Sequence, residues 1–190
     1  MKKFLGILVL GLFLITPSWA DDIRDFQIEG ISIGDSALDY FGENELLENK
    51  ENWFKNDKYT LVNNLKKPSF KIYDIVQLVF KTNDSKKNIS GIEAIIFYRD
   101  DIKVCLKQLD AVSKDIETLF TNVKNLGKET YKHSFDKTGK TTVTDVLYEF
   151  DSKDSISIAC QDWSKKFKFP DQLRVQIRTK DYIKFLKTAY

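Results

Sequence analysis

Two cysteines set the tightest limit on how this chain folds. Cys105 lies in the run Ile102, Cys105, Leu109, Val112, Ile116, Leu119 and Val123, whose steps alternate between three and four residues. That spacing keeps all of these side chains on one stripe of a helix. Cys160 closes the stretch DSISIAC, in which Ile156, Ile158 and Cys160 alternate with Ser157 and Ala159. Such alternation marks the core-facing side of a strand. The chain has only 2 cysteines, so the pattern predicts a Cys105–Cys160 disulfide pinning a helix to a sheet, the alternative being two separate buried thiols. A disulfide belongs to an oxidising compartment.

The start of the chain points to the same compartment. Lys2 and Lys3 precede an uncharged apolar run over 4–15, Pro17 breaks it, and Ser18 and Ala20 put small residues where a signal peptidase reads. This predicts a secretory signal peptide over 1–20 with cleavage after Ala20, and a periplasmic or secreted location. The run is shorter than the roughly 20 residues a spanning helix needs, and no cysteine stands at the cleavage site to carry a lipid. The full chain has 30 basic and 28 acidic residues; without Lys2 and Lys3 there are 28 of each. A neutral mature chain gives no global electrostatic case for a nucleic-acid partner. No later segment reads as an integral membrane span. The region 21–190, undivided by any Pro/Gly/Ser-rich linker, is expected to form a single domain large enough to hold a core without metal.

Along that region, 26–33 reads as a strand bent at Gly30, short helical turns follow at 36–41 and 43–49, and 50–68 is polar and irregular. Strands are expected at 69–82 and 89–98, the second apolar on both faces and therefore central. Asp100 and Asp101 would cap the longest helix, over 102–126, with Gly127 as its stop. ETYKHSF and TTVTDVLYEF form a hairpin around DKTGK, 155–162 is the Cys160 strand, and LRVQIR turns Leu173, Val175 and Ile177 inward and Arg174, Gln176 and Arg178 outward. A short amphipathic helix at 181–187 ends the chain. The expected fold class is α+β: an antiparallel sheet of five or more strands packed on one long central helix, with short N-terminal and C-terminal helices.

Few motifs carry chemistry. Gly34-Asp35-Ser36 resembles the start of the signature that holds the nucleophilic serine of GDSL-type esterases. That family pairs its serine with an Asp-x-x-His base near the C-terminus, because a serine is a poor nucleophile until a base takes its proton. Here the one histidine, His133, has Thr130 three residues before it and a hairpin after it. Ser36 followed by Asp39 reads better as a capping box with Asp in the Glu position. A metal site is disfavoured by the single histidine, and there is no Walker loop, GxGxxG or HExxH, so no cofactor is expected. WFKNDKY and WSKKFKFP interleave rings with charges; Trp53, Tyr59, Trp163 and Phe167 are the candidate binding residues. WSKKFKFP is also the kind of stretch that meets an anionic polymer or a membrane surface, but a loop whose rings fold back on the core is the favoured reading.

With FQIEGISIGDSALDYF, KTTVTDV and ACQDWS in view, the chain resembles a group of exported proteins of marine alphaproteobacteria of the IEGISIGDS-x-LDYF type. The resemblance covers most of the chain after Ala20 and implies export, with no activity attached. ISIGDS has a weaker likeness, a few residues long, to the start of small periplasmic interaction domains similar to the β-lactamase inhibitor protein. The expected function is a non-enzymatic exported domain that binds a small molecule or an envelope protein; the alternative is a GDSL-like esterase using Ser36 with His133.

Overall fold

The computed structural model describes residues 22–99 and 101–190. The expected signal peptide and Asp100 lie outside the described residues. The fold is α+β, and the sheet is its larger part. Eight strands run antiparallel in the order β1-β2-β3-β4-β8-β7-β6-β5. They are β1 Lys50–Glu51, β2 Tyr59–Leu65, β3 Ile75–Lys81, β4 Ile89–Arg99, β5 Val123–Lys132, β6 Thr142–Phe150, β7 Ser155–Asp162 and β8 Asp171–Arg178. Three helices accompany them: α1 Glu43–Glu48, α2 Ile102–Leu119 and α3 Lys180–Leu186. The expected minimum of five strands therefore becomes eight, and α2 is one layer over part of the sheet rather than the centre of the molecule.

One face of the sheet holds the main core. Strand alternation sends Leu173, Val175 and Ile177 of β8, and Ile156, Ile158 and Cys160 of β7, to this face, all at most 1% exposed. Helix α2 lies over β7 and β8 and buries Cys105, Leu109, Val112 and Ile116, each large apolar side chain contributing about 1.5–3 kcal/mol. Asp101 caps its start, accepting from Val104 N at 3.2 Å. The Cys105–Cys160 disulfide is formed, with Cα atoms 5.9 Å apart. The same core takes in Ile23, Phe26, Ile28, Ile31 and Ile33 from the N-terminal segment. On the other face α3 lies over β2, β3 and β4, setting Tyr182 and Phe185 on Tyr59, Leu61 and Val79 and the Tyr182 ring over Gly91.

Several element boundaries differ from expectation. The segment 26–33 is not a strand but a tight turn, with Ile28 and Ile31 bonded to each other across Glu29 and Gly30. Glu29 has φ 53° and Gly30 φ 80°, the pair of positive values that a type I′ turn needs. The Glu29 carboxylate then accepts from the backbone of Lys71, Ile72 and Tyr73 at 2.8–3.0 Å. That loop occupies the front of the stretch expected as strand, so β3 starts only at Ile75. The polar-looking 50–68 contains β1 and β2; a register shift between Val62 and Leu65 accommodates Asn63 and Asn64. Helix α2 stops at Leu119, because Phe120 leaves the helical path to pack on Phe26 and Phe150, at ring-centroid distances of 6.0 and 5.2 Å. From Val123 through Gly127 the residues expected at the helix end belong to β5, with a bulge between Asn125 and Lys128. Strand β4 is central as expected, between β3 and β8.

Candidate functional site

The face of the sheet opposite α2 is polar where α3 leaves it open. Gln77 pairs in register with Glu93, Glu93 with Gln176, and Gly91 with Arg178. Since successive side chains alternate across a strand, Gln77, Glu93, Arg174, Gln176 and Arg178 share this face. Over them stand Tyr182 of α3, the C-terminal Tyr190 and Trp53 from the loop before β2, enclosing a cleft of about 230 Å³. That is below the ~300 Å³ at which ordinary small-molecule sites begin, so the cleft admits only a ligand smaller than those sites hold. Phe54 ties the rim together, its ring 5.8 Å from that of Tyr190 and 5.1 Å from that of Phe185, and Lys55 N donates to Ala189 O at 2.8 Å. Gly91 is the floor beneath Tyr182: a Cβ there would stand 2.8 Å from two ring carbons. Trp53 and Tyr190 remain 46% and 63% exposed, so their faces are available for stacking.

The charges in the cleft are unequally matched. Arg174 Nη1 pairs with Glu93 Oε1 at 2.5 Å, both side chains about one-fifth exposed (21% and 18%). Arg178, half-buried, donates to the Gln176 side-chain oxygen and makes no ion pair among the described residues. A planar guanidinium with donors to spare, set between aromatic rings, is suited to a bidentate carboxylate or phosphate. Burial raises the pKa of the Tyr182 and Tyr190 hydroxyls, with the Arg178 charge pulling the other way. Both therefore remain neutral donors near neutral pH.

A second cluster sits at the other end of β8. The β5–β6 connection brings His133 and Phe135 against Trp163, Phe167 and Phe169 of the β7–β8 connection. His133 lies 4.9 Å from Trp163, Phe135 5.5 Å from Phe167, and Trp163 4.9 Å from Phe169, centroid to centroid. Asp136 holds the first loop by accepting from the backbone and hydroxyls of Thr138 and Thr141 at 2.7–2.9 Å. Asp171 holds the second, accepting from Trp163 N at 3.0 Å. Burial and then the Arg174 charge lower the His133 pKa from its ordinary 6.5, and its Nδ1 accepts from Phe135 N at 3.2 Å.

The four expected binding residues do not come together. Trp53 lines the cleft, but Tyr59 is a core residue, 3% exposed beneath α3, its hydroxyl without a hydrogen-bond partner among the described residues. Trp163 and Phe167 belong to the second cluster, at the opposite end of β8 from Arg178. Ser36 caps the short turn Ala37–Asp39: its Oγ accepts from Leu38 N at 3.2 Å and donates to Lys86 O at 2.6 Å. His133 stands on a different hairpin, and the structure does not bring it to Ser36. The reciprocal half of the expected capping box is missing; Asp35 instead binds Ser32 N and the Tyr40 hydroxyl. Sequence reasoning passed over Arg178, Arg174 and Glu93 as site residues. Their signal was the outward Arg-Gln-Arg row of LRVQIR and one glutamate inside the apolar strand GIEAIIFY.

Among the described residues, no group of three or more His, Cys, Asp or Glu side chains could hold a metal, and no helix is long and apolar enough to cross a membrane. No family model matches the chain, and comparison with curated proteins and with solved structures finds no match.

Proposed function

We propose that the protein is an exported binding module that holds a small anionic ligand in the cleft between α3 and the open sheet face. The observation that carries this reading is Arg178: half-buried, lining the cleft beside Tyr182 and Tyr190, and in no ion pair among the described residues, its charge reaching the Asp145 carboxylate only as a field. Arg178 grips the anion, Gln176 supplies a further hydrogen bond, and Trp53 and Tyr190 close over the ligand's flat or apolar part. The Glu93–Arg174 pair fixes the floor electrostatically and leaves the lining with a net positive charge. Export is supported by the disulfide and by the basic and then apolar start of the sequence.

The test is a thermal-unfolding screen of the protein, purified from an exporting host, against carboxylates, phosphate esters and acidic sugars. A ligand at a hundred times its Kd stabilises the fold by about 2.7 kcal/mol. Arg178→Gln is expected to remove that shift while leaving the unliganded midpoint in place. The reading fails if no anion shifts the midpoint, or if the shift survives in both Arg178→Gln and Trp53→Ala.

A further inference from the structure

The aromatic cluster at the far end of the sheet has the composition of a surface that meets a charged interface. Its outermost rings are phenylalanines with no polar atom to offer water: Phe135 is 62% exposed and Phe169 50%. They stand on two neighbouring loops over a packed base, where Phe167 and Phe169 stack at 12° and Trp163 is 9% exposed. Lysines surround them. Within 132–140 and 162–171 there are six, Lys132, Lys137, Lys140, Lys165, Lys166 and Lys168, against Asp136, Asp162 and Asp171. All six lysines are exposed, whereas Asp136 and Asp171 are 4% exposed and accept hydrogen bonds from their own loops. The chain is neutral as a whole without Lys2 and Lys3, so this excess of positive charge is local. Two hollows between the lysines and the rings, of about 410 and 390 Å³, open beside the tips.

We propose that this end docks on an anionic phospholipid surface, Phe135 and Phe169 entering the headgroup layer and the lysines meeting the lipid phosphates. Rings at this depth with cationic side chains around them are the ordinary chemistry of interfacial binding. The arrangement favours a bilayer over a nucleic-acid strand. Strand binding needs successive ring faces open along a basic groove; here the two loop-tip rings sit on separate loops and the rings beneath are packed on one another. The two sites adjoin at Arg174, which lines the cleft and whose charge reaches His133, but the loop tips stand at the opposite end of β8 from Arg178.

Hydrogen exchange of the protein bound to phosphatidylcholine vesicles with and without phosphatidylglycerol tests the proposal, and it reads location whatever the N-terminus does. Protection is expected at 133–140 and 163–170, on anionic vesicles only, and weakening as salt rises. Vesicle partitioning should fall about a hundredfold in Lys137→Gln/Lys140→Gln/Lys166→Gln, at about fivefold per lysine. It should fall about tenfold for each of Phe135→Ser and Phe169→Ser. Arg178→Gln should bind vesicles like the wild type. Circular dichroism confirms that each variant folds; one that does not is replaced by Lys165→Gln/Lys166→Gln or Phe169→Leu, whose partitioning is read the same way. The proposal is overturned if the loops are unprotected on anionic vesicles, if neutral vesicles protect them equally, or if the folded variants partition like the wild type. Protection of the loops by nucleic acid instead of vesicles would likewise overturn it.

Discussion

Losing the Cys105–Cys160 disulfide, by replacing both cysteines with alanine or by reduction, should remove about 4 kcal/mol of stability through the bond alone. The two residues are 55 apart in sequence, and closing a loop of that length costs the unfolded chain about 4 kcal/mol in the chain-entropy model. The folded region is about 170 residues, and proteins of this kind gain roughly 2.1 cal/mol/K of unfolding entropy per residue. The expected fall in melting temperature is therefore about 11 °C, and in urea, with a slope of about 2 kcal/mol/M, the midpoint should drop by about 2 M. Cys105 and Cys160 are 0% and 1% exposed, so losing two sulfur atoms adds a small cavity cost, about 1 kcal/mol. Reducing the wild type under denaturant avoids that term, since both sulfurs stay in place. The assay is urea unfolding followed by circular dichroism, with and without reductant, for both proteins. Reductant should shift the wild type most of the way to the variant and leave the variant unmoved. A wild-type shift below about 1 kcal/mol would refute the reasoning, because α2 and β7 would then be no freer without the bond than with it.

Two further outcomes follow from single contacts. Gly91→Ala places a methyl 2.8 Å from the Tyr182 ring, so α3 must shift; we expect a loss of about 1–3 kcal/mol, weaker anion binding, and displaced Tyr182 ring signals by NMR, and an unshifted ring would contradict the close packing. Hydrogen bonds from Thr138, ahead of those from Thr141, hold the Asp136 carboxyl well below its ordinary pKa of 3.8; its folded-state value is depressed, so its contribution to stability is present above that ordinary value and is lost as pH falls toward the folded-state one. Amide exchange in the β5–β6 loop should accordingly stay slow through mild acid and quicken only below it, while Asp136→Asn should flatten that dependence.

The parts of the fold legible in the sequence were those where a period ran uninterrupted. LRVQIR and SISIAC alternate without a break, and both are strands with the predicted sides in the core. Cys105, Leu109, Val112 and Ile116 keep helical spacing, and all four are buried. Misreadings arose where tertiary packing overrode a continuing local pattern. Val123 extends the helical stripe on paper, yet Phe120 turns the chain toward Phe26 and Phe150, and Val123 pairs with Phe150 as a strand residue. β2 was hidden because its bulge at Asn63 and Asn64 interrupts the alternation. Half of the cleft wall was legible through Trp53, but its charged floor was not. Which outward-facing residues end up under a lid depends on α3 folding back over β4, and no local pattern encodes where a terminal helix lands.

The strand order has a kinetic consequence. β4 lies in the middle of the sheet, yet its partner β8 comes only after α2, β5, β6 and β7, with Gly91 opposite Arg178. Until β8 arrives, β4 presents a bare, apolar hydrogen-bonding edge, and the two halves of the sheet have no seam to join them. Contacts so distant in sequence form late, after the loop entropy of the intervening chain has been overcome. A nascent chain of this topology therefore cannot complete its core until β8 has been made. For a protein that leaves the cytoplasm before folding, that delay keeps it threadable; for one held back, the open edge is a site for pairing with the wrong chain.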